Sequence, residues 1–134
     1  MSDKIRVLLV KPMKEPEIVE IPHTLAAMQK TVGGDIEAVY PFDAPVALVC
    51  NDEGKINGLP LNRSLRYDDG EIYDVIAGDF FICDVSGEDF QSLSDAQIKE
   101  YTERFRYPER FLRTPDGVKA ITVIPAARNN NDAR

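Results

Sequence analysis

The sequence predicts a small α+β domain: a mostly antiparallel sheet of five to seven strands with two helices packed on it. Three observations point there. Short β-branched apolar runs succeed one another at hairpin spacing, only two segments carry helical periodicity, and no repeated strand-helix alternation calls for parallel crossovers. At 134 residues the chain fits one domain, and a domain of that size buries roughly two thirds of its unfolded surface, enough for a core without staples. The expected boundaries are residues 1–128 for the domain and 129–134 for a tail that lacks apolar anchors and should fray.

The elements follow in order. Residues 5–10 are β-branched and apolar up to Lys11-Pro12, and residues 17–21 follow a short polar link, so the two read as an antiparallel pair. Leu25, Met28 and Val32 recur at helical spacing between Thr24, a natural N-cap, and Gly33-Gly34, a natural C-terminal cap. Residues 36–40 form a strand halted at Pro41. Residues 46–50 show no polar alternation, which predicts an inner strand covered on both faces.

Residues 51–55 predict a hairpin turn in which Gly54 takes positive φ, and Asp68-Asp69-Gly70-Glu71 predicts another. Residues 72–76 fit a short strand or a helical turn, and residues 80–85 a strand. Ser94 and Gln97 form a capping box, with Leu93 and Ile98 placed as a hydrophobic staple. Ile98, Tyr101 and Phe105 then share one face until Pro108 stops the helix. Residues 118–124 supply a last strand.

Composition narrows the function classes. The hydrophobic fraction of 43% and charged fraction of 29% are those of ordinary globular chains. No apolar run approaches the roughly 20 residues that cross a bilayer, and the first ten residues lack the cleavage site of a signal peptide. A cytoplasmic protein without a membrane partner is expected. Cys50 and Cys83 lie within apolar strands, far apart, and read as small core residues in a reducing compartment. His23 is the only histidine, so no metal site and no cofactor are expected.

The net charge of −7 is uneven: residues 1–85 hold 15 acidic and 8 basic side chains, and residues 86–134 hold eight of each. That sign opposes direct binding to nucleic acid, whose affinity rests on Lys and Arg at phosphates. It suits instead a basic protein partner or imitation of nucleic acid.

One segment stands out. Asn57-Gly58-Leu59-Pro60-Leu61-Asn62-Arg63 sets two amides and a guanidinium between two apolar runs. The bland explanation is structural: glycine for an unusual backbone, asparagines bonded to nearby amides, arginine paired with an aspartate. The functional one is a pocket for a small anion such as a nucleotide. There Arg63 offers a planar fork, Asn51, Asn57 and Asn62 offer paired donors and acceptors, and Tyr40 or Tyr67 offers a stacking face.

Other constellations weigh less. Asp68, Asp69, Glu71, Asp74 and Asp79 surround Gly70 without the ligand spacing of a calcium loop, and read as a solvated acidic edge. Neither a nucleophile elbow, a P-loop nor a dinucleotide glycine fingerprint occurs, so no catalytic residue is assigned. An enzymatic reading would need a cleft holding carboxylates of raised pKa. Tyr101, Phe105, Tyr107 and Phe111, interleaved with Arg104, Arg106, Arg110 and Arg113, fit a packed helical face with solvated arginines.

An ordered series of short motifs runs from Val7-Leu8-Leu9-Val10-Lys11-Pro12 through Met28-Gln29, Val32-Gly33-Gly34 and Glu37-Ala38-Val39-Tyr40-Pro41-Phe42. It continues through Val46-Ala47-Leu48-Val49-Cys50-Asn51, the residues 57–63 motif, and Tyr73-Asp74-Val75-Ile76-Ala77-Gly78 with Phe80-Phe81-Ile82. With this series, residues 5–85 resemble the domain-of-unknown-function 3846 family of small bacterial, phage and mobile-element proteins. The resemblance carries no assigned activity, and implies an accessory role such as counter-defence. Residues 86–124 are expected to lie outside it as an added helix and strand.

The expected function is therefore a non-enzymatic binding protein holding a small anionic ligand, or a partner's polar group, at Tyr40, Asn51, Asn57, Asn62 and Arg63. The alternative is an acidic interaction module, or DNA mimic, that occupies a host enzyme. Oligomeric state is left open by the sequence.

Overall fold

In the computed structural model, which describes residues 4–124, the chain runs in the order β1 (Lys4–Val10), β2 (Glu17–Pro22), α1 (Leu25–Val32), β3 (Ile36–Val39), β4 (Val46–Asn51), β5 (Leu61–Arg66), β6 (Ile72–Ala77), β7 (Phe80–Asp84), α2 (Asp95–Arg104), β8 (Glu109–Thr114) and β9 (Gly117–Thr122). The expected tail at 129–134 lies outside the described residues. Five strands form an antiparallel sheet in the order β2-β1-β7-β4-β3, while β5-β6 and β8-β9 are separate two-stranded antiparallel sheets. The α+β class holds, and the sheet is mostly antiparallel.

The five-stranded sheet is buried on both faces because its inner strands carry unbroken apolar runs, Val7–Val10 in β1, Val46–Cys50 in β4 and Phe80–Cys83 in β7. Leu8, Val10, Leu48, Phe80 and Ile82 point to one side, where they meet Ile98, Tyr101 and Phe105 of α2 and Leu65 and Ile76 of the β5-β6 hairpin. Val7, Leu9, Val49 and Phe81 point to the other, where α1 covers them with Met28 and Val32. Period-two alternation thus delivers each strand to two separate cores. Each fully buried Leu, Val or Phe among them contributes about 1.5–3 kcal/mol relative to exposure.

Both helices begin as the sequence predicts. Thr24 Oγ1 accepts from the Ala27 N–H and Gly33 closes α1 at φ 83°. At α2 the Ser94 hydroxyl accepts from the Gln97 N–H, and the Gln97 side chain accepts from the Ser94 N–H.

Three expectations need correction. Residues 51–55 do not make a hairpin turn: β4 pairs with β3 and β7, and residues 52–60 carry the chain out to a second sheet. Gly54 does not adopt positive φ. Its missing side chain matters for space, since a Cβ there would sit 2.7 Å from the Ala77 carbonyl oxygen. Finally, the helical aromatic face ends at Phe105, because Tyr107 precedes β8 and Phe111 belongs to it.

Candidate functional site

β5 opens with an irregularity that decides the fate of the Asn-Arg motif. Leu61 pairs with Ala77 and Arg63 with the adjacent Ile76, so Asn62 is an extra residue bulged out of the ladder. A bulge breaks strict alternation, and here Asn62 and Arg63 are both buried, each at 0% exposure.

The side-chain polar groups of the pair are then spent inside the protein. Asn62 Nδ2 donates to the carbonyls of Val10 (2.9 Å) and Gly78 (2.8 Å). Arg63 Nε and Nη2 donate to the Phe105 carbonyl at 3.2 and 2.9 Å, and Nη2 also to Lys14 O at 2.6 Å. Its Nη1 donates to Asn62 O and Oδ1 at 3.3 and 2.9 Å. A guanidinium carries five N–H donors, and these five bonds use all of them. Burial lowers the Arg63 pKa from its ordinary value, against the opposing pull of Glu109.

The remaining motif residues do not join this pair. Asn51 is buried, donates from Nδ2 to the Val32 carbonyl at the end of α1 and accepts the Glu53 N–H on Oδ1. Asn57 is exposed on the connection after β4, and Tyr40 is 62% exposed at the far side of β3. The five side chains therefore line no common hollow. The structural explanation of the motif accounts for Asn51, Asn62 and Arg63, with main-chain carbonyls in place of the expected aspartate.

A cleft does open beside them. Its volume is about 630 Å³, within the range of small-ligand sites, and it lies between the β5-β6 and β8-β9 hairpins. Arg66, Tyr67 and Tyr73 line one side, and Arg104, Tyr107 and Glu109 line the other. Tyr67 and Tyr73 flank the turn joining β5 to β6, and their rings pack with centroids 4.9 Å apart. The Arg104 guanidinium lies over the Phe42 ring, 4.9 Å from its centroid, and no hydrogen bond or ion pair to a described residue engages it.

Arg66 is partly committed: Nε donates to Ser64 Oγ at 3.1 Å and Nη1 to Gly70 O at 2.9 Å, leaving Nη2 4.0 Å from Glu109 Oε1. Glu109 anchors the wall by accepting the Ser64 hydroxyl at 2.6 Å and the Ser64 N–H at 3.3 Å. The Asp79 carboxyl is pushed above its ordinary range by burial, against the pull of Lys11, yet lies outside the cleft lining. The cleft thus combines tyrosine faces and two arginines with the carboxylates of Asp68 and Glu109.

Sequence reasoning singled out Tyr67, read Arg104 as a solvated arginine, and gave Tyr73 and Arg66 no part in a site. Reading residues 61–77 as one hairpin would have brought the two tyrosines together across its turn.

The chain matches the family described as Domain of unknown function (DUF3846) over residues 5–106, well over half its length. The chain belongs to this family. The match runs past residue 85 and includes α2, so the family core is larger than the sequence reading drew it, and among the described elements only the β8-β9 hairpin lies beyond. That extension makes structural sense, because α2 supplies Ile98, Tyr101 and Phe105 to the core and the carbonyl that Arg63 holds. Neither a curated protein nor a solved structure matches the chain. Among the described residues no helix is long and apolar enough to cross a membrane.

Proposed function

We propose that this protein is a binding module for a small planar anion of the nucleotide class, taken up in the cleft between the two hairpins instead of at the Asn57, Asn62 and Arg63 motif. One observation carries the reading. Arg104 is held in place by the face of Phe42 while its N–H groups remain unspent beside the cleft, and an oriented guanidinium without an acceptor suits a phosphate or carboxylate. Tyr67 and Tyr73 add an aromatic surface for a base. In this reading Asn62 and Arg63 build the wall on which the site stands.

The family likeness supports an accessory role in a phage or mobile element, with counter-defence as one form of it. The two distant buried thiols suit a cytoplasmic protein. The test is thermal: a ligand that binds only the folded state raises its melting temperature. A panel of nucleoside mono-, di- and triphosphates should contain at least one that stabilises the wild type, with the shift reduced in Arg104→Ala. Flat melting curves across the whole panel would remove the reading.

A second reading rests on a different observation: Asp68, Asp69 and Glu71 stand exposed together at the β5-β6 turn. They favour an acidic interaction module, or DNA mimic, that occupies a basic host protein. Reversing the three charges should abolish salt-sensitive capture of such a partner, and undiminished capture would end this alternative.

A further inference from the structure

The two carboxylates of the cleft are not equivalent. Glu109 is spent on its own wall: it accepts the Ser64 hydroxyl and N–H, and its side chain is only 13% exposed. Asp68 stands at the β5-β6 turn, on the side of Tyr67 and Tyr73. Among the described residues no hydrogen bond or ion pair engages its side chain. Its neighbours in the turn differ. Asp69 Oδ1 accepts the Glu71 N–H, and neither Asp69 nor Glu71 lines the cleft.

Asp68 thus brings a pair of uncommitted acceptor oxygens to the cleft beside the aromatic surface of Tyr67 and Tyr73. An ionised carboxylate accepts hydrogen bonds and cannot donate them. A base stacked on an aromatic face keeps its hydrogen-bonding edge free to meet such a group. Building on the nucleotide reading above, we infer that the base is guanine, its N1–H and 2-amino group donating to the two Asp68 oxygens.

The other bases fit this acceptor worse. Adenine sets its amino group beside a bare N1, cytosine sets its own beside a bare N3, and uracil or thymine has one N–H between two carbonyls. Each turns a lone pair toward a carboxylate oxygen, whereas guanine presents two donors side by side. Charge also orients the ligand. With its phosphate at Arg104 on α2 and its base at the turn, a guanine nucleotide joins unlike charges and keeps the phosphate away from Asp68. Because Asp68 is exposed, water competes for its oxygens and the preference is modest.

Titration calorimetry with the mono- and triphosphates of guanosine, inosine and adenosine tests the inference. The wild type should bind the guanine nucleotide about fivefold or more tighter than its adenine counterpart. Inosine, which keeps N1–H but lacks the 2-amino group, should fall between them. Asp68→Asn should close most of the gap, because an amide turns a donor of its own toward one of the two N–H groups. Glu71→Gln removes the same charge from the same turn outside the cleft and should keep the preference. Adenine bound as tightly as guanine, Asp68→Asn with the wild-type preference, or Glu71→Gln without it would each overturn the guanine assignment and leave the nucleotide reading standing. Binding of none of the six nucleotides would remove both.

Discussion

The carbonyl oxygen of Phe105 accepts two hydrogen bonds from Arg63, one from Nε at 3.2 Å and one from Nη2 at 2.9 Å. Phe105 caps the C-terminal end of α2, where unpaired carbonyls and the helix dipole favour a cation. The same guanidinium holds Lys14 O beyond β1, while Asn62 holds Val10 O and Gly78 O. One dipeptide thus joins β1, the β6-β7 turn and α2.

Arg63→Ala leaves the Phe105 and Lys14 carbonyls and Asn62 Oδ1 without this donor and opens a cavity in the wall. The expected loss is about 3 kcal/mol or more, read as a lower midpoint in urea. Arg63→Lys should recover only part of it, because an ammonium cannot reproduce the planar fork.

Arg104→Ala separates binding from folding. Removing its stacking on Phe42 should cost about 0.5–1 kcal/mol of stability. Affinity for a stabilising nucleotide should fall about tenfold, measured by titration calorimetry. Equal affinity in both proteins would place the anion elsewhere.

Glu109→Ala cuts the link between β8 and Ser64 on β5. Loss of a charged acceptor for a hydroxyl and an N–H is worth about 1–3 kcal/mol locally. Amide exchange should accelerate across residues 109–122, while β1, β4 and β7 keep their protection.

Burial pushes the Cys83 thiol up to about 12 and the Cys50 thiol up to about 11, with nearby carboxylates adding to both shifts. Since the thiolate is the reacting form, a disulfide reagent at neutral pH should find neither thiol in the native protein. Both should react once denaturant opens the sheet. Fast labelling of the folded protein would contradict the packing of β4 against β7.

Asp84 sets a pH dependence. Burial pushes its carboxyl up, but hydrogen bonds from the Ser86 hydroxyl, the Gln97 amide and the Ser86 N–H outweigh this and leave it below its ordinary value. A folded-state pKa below the unfolded one contributes stability above the unfolded pKa of about 3.9 and loses it as pH falls through the folded value. Asp84→Asn should therefore be less stable than wild type at pH 7, and the difference should shrink in acid.

Much of the scaffold was legible because local chemistry and tertiary context agree there. The capping box at Ser94 and Gln97, the glycine cap at Gly33 and the unbroken apolar run of β4 each specify one outcome. β5 was illegible for the opposite reason: polar Asn62 and Arg63 within a strand oppose the usual pattern, and only the bulge lets both turn inward. β8 was hidden because Phe105, Tyr107 and Phe111 mimic a helical face across the break at Pro108. As for the candidate cleft, Arg66 and Tyr73 are six or more positions apart from one another and from Arg104, and only the hairpin between them closes that gap.

By itself the sequence determined the α+β class, the antiparallel pairing of β1 with β2, the limits of α1, the start of α2 and the family resemblance, since these rest on neighbours within a few residues. Only the tertiary structure decided what Arg63 does. A guanidinium beside two amides has the same chemistry whether it faces a ligand or a helix end, and the choice depends on where the chain brings Phe105, 42 residues away.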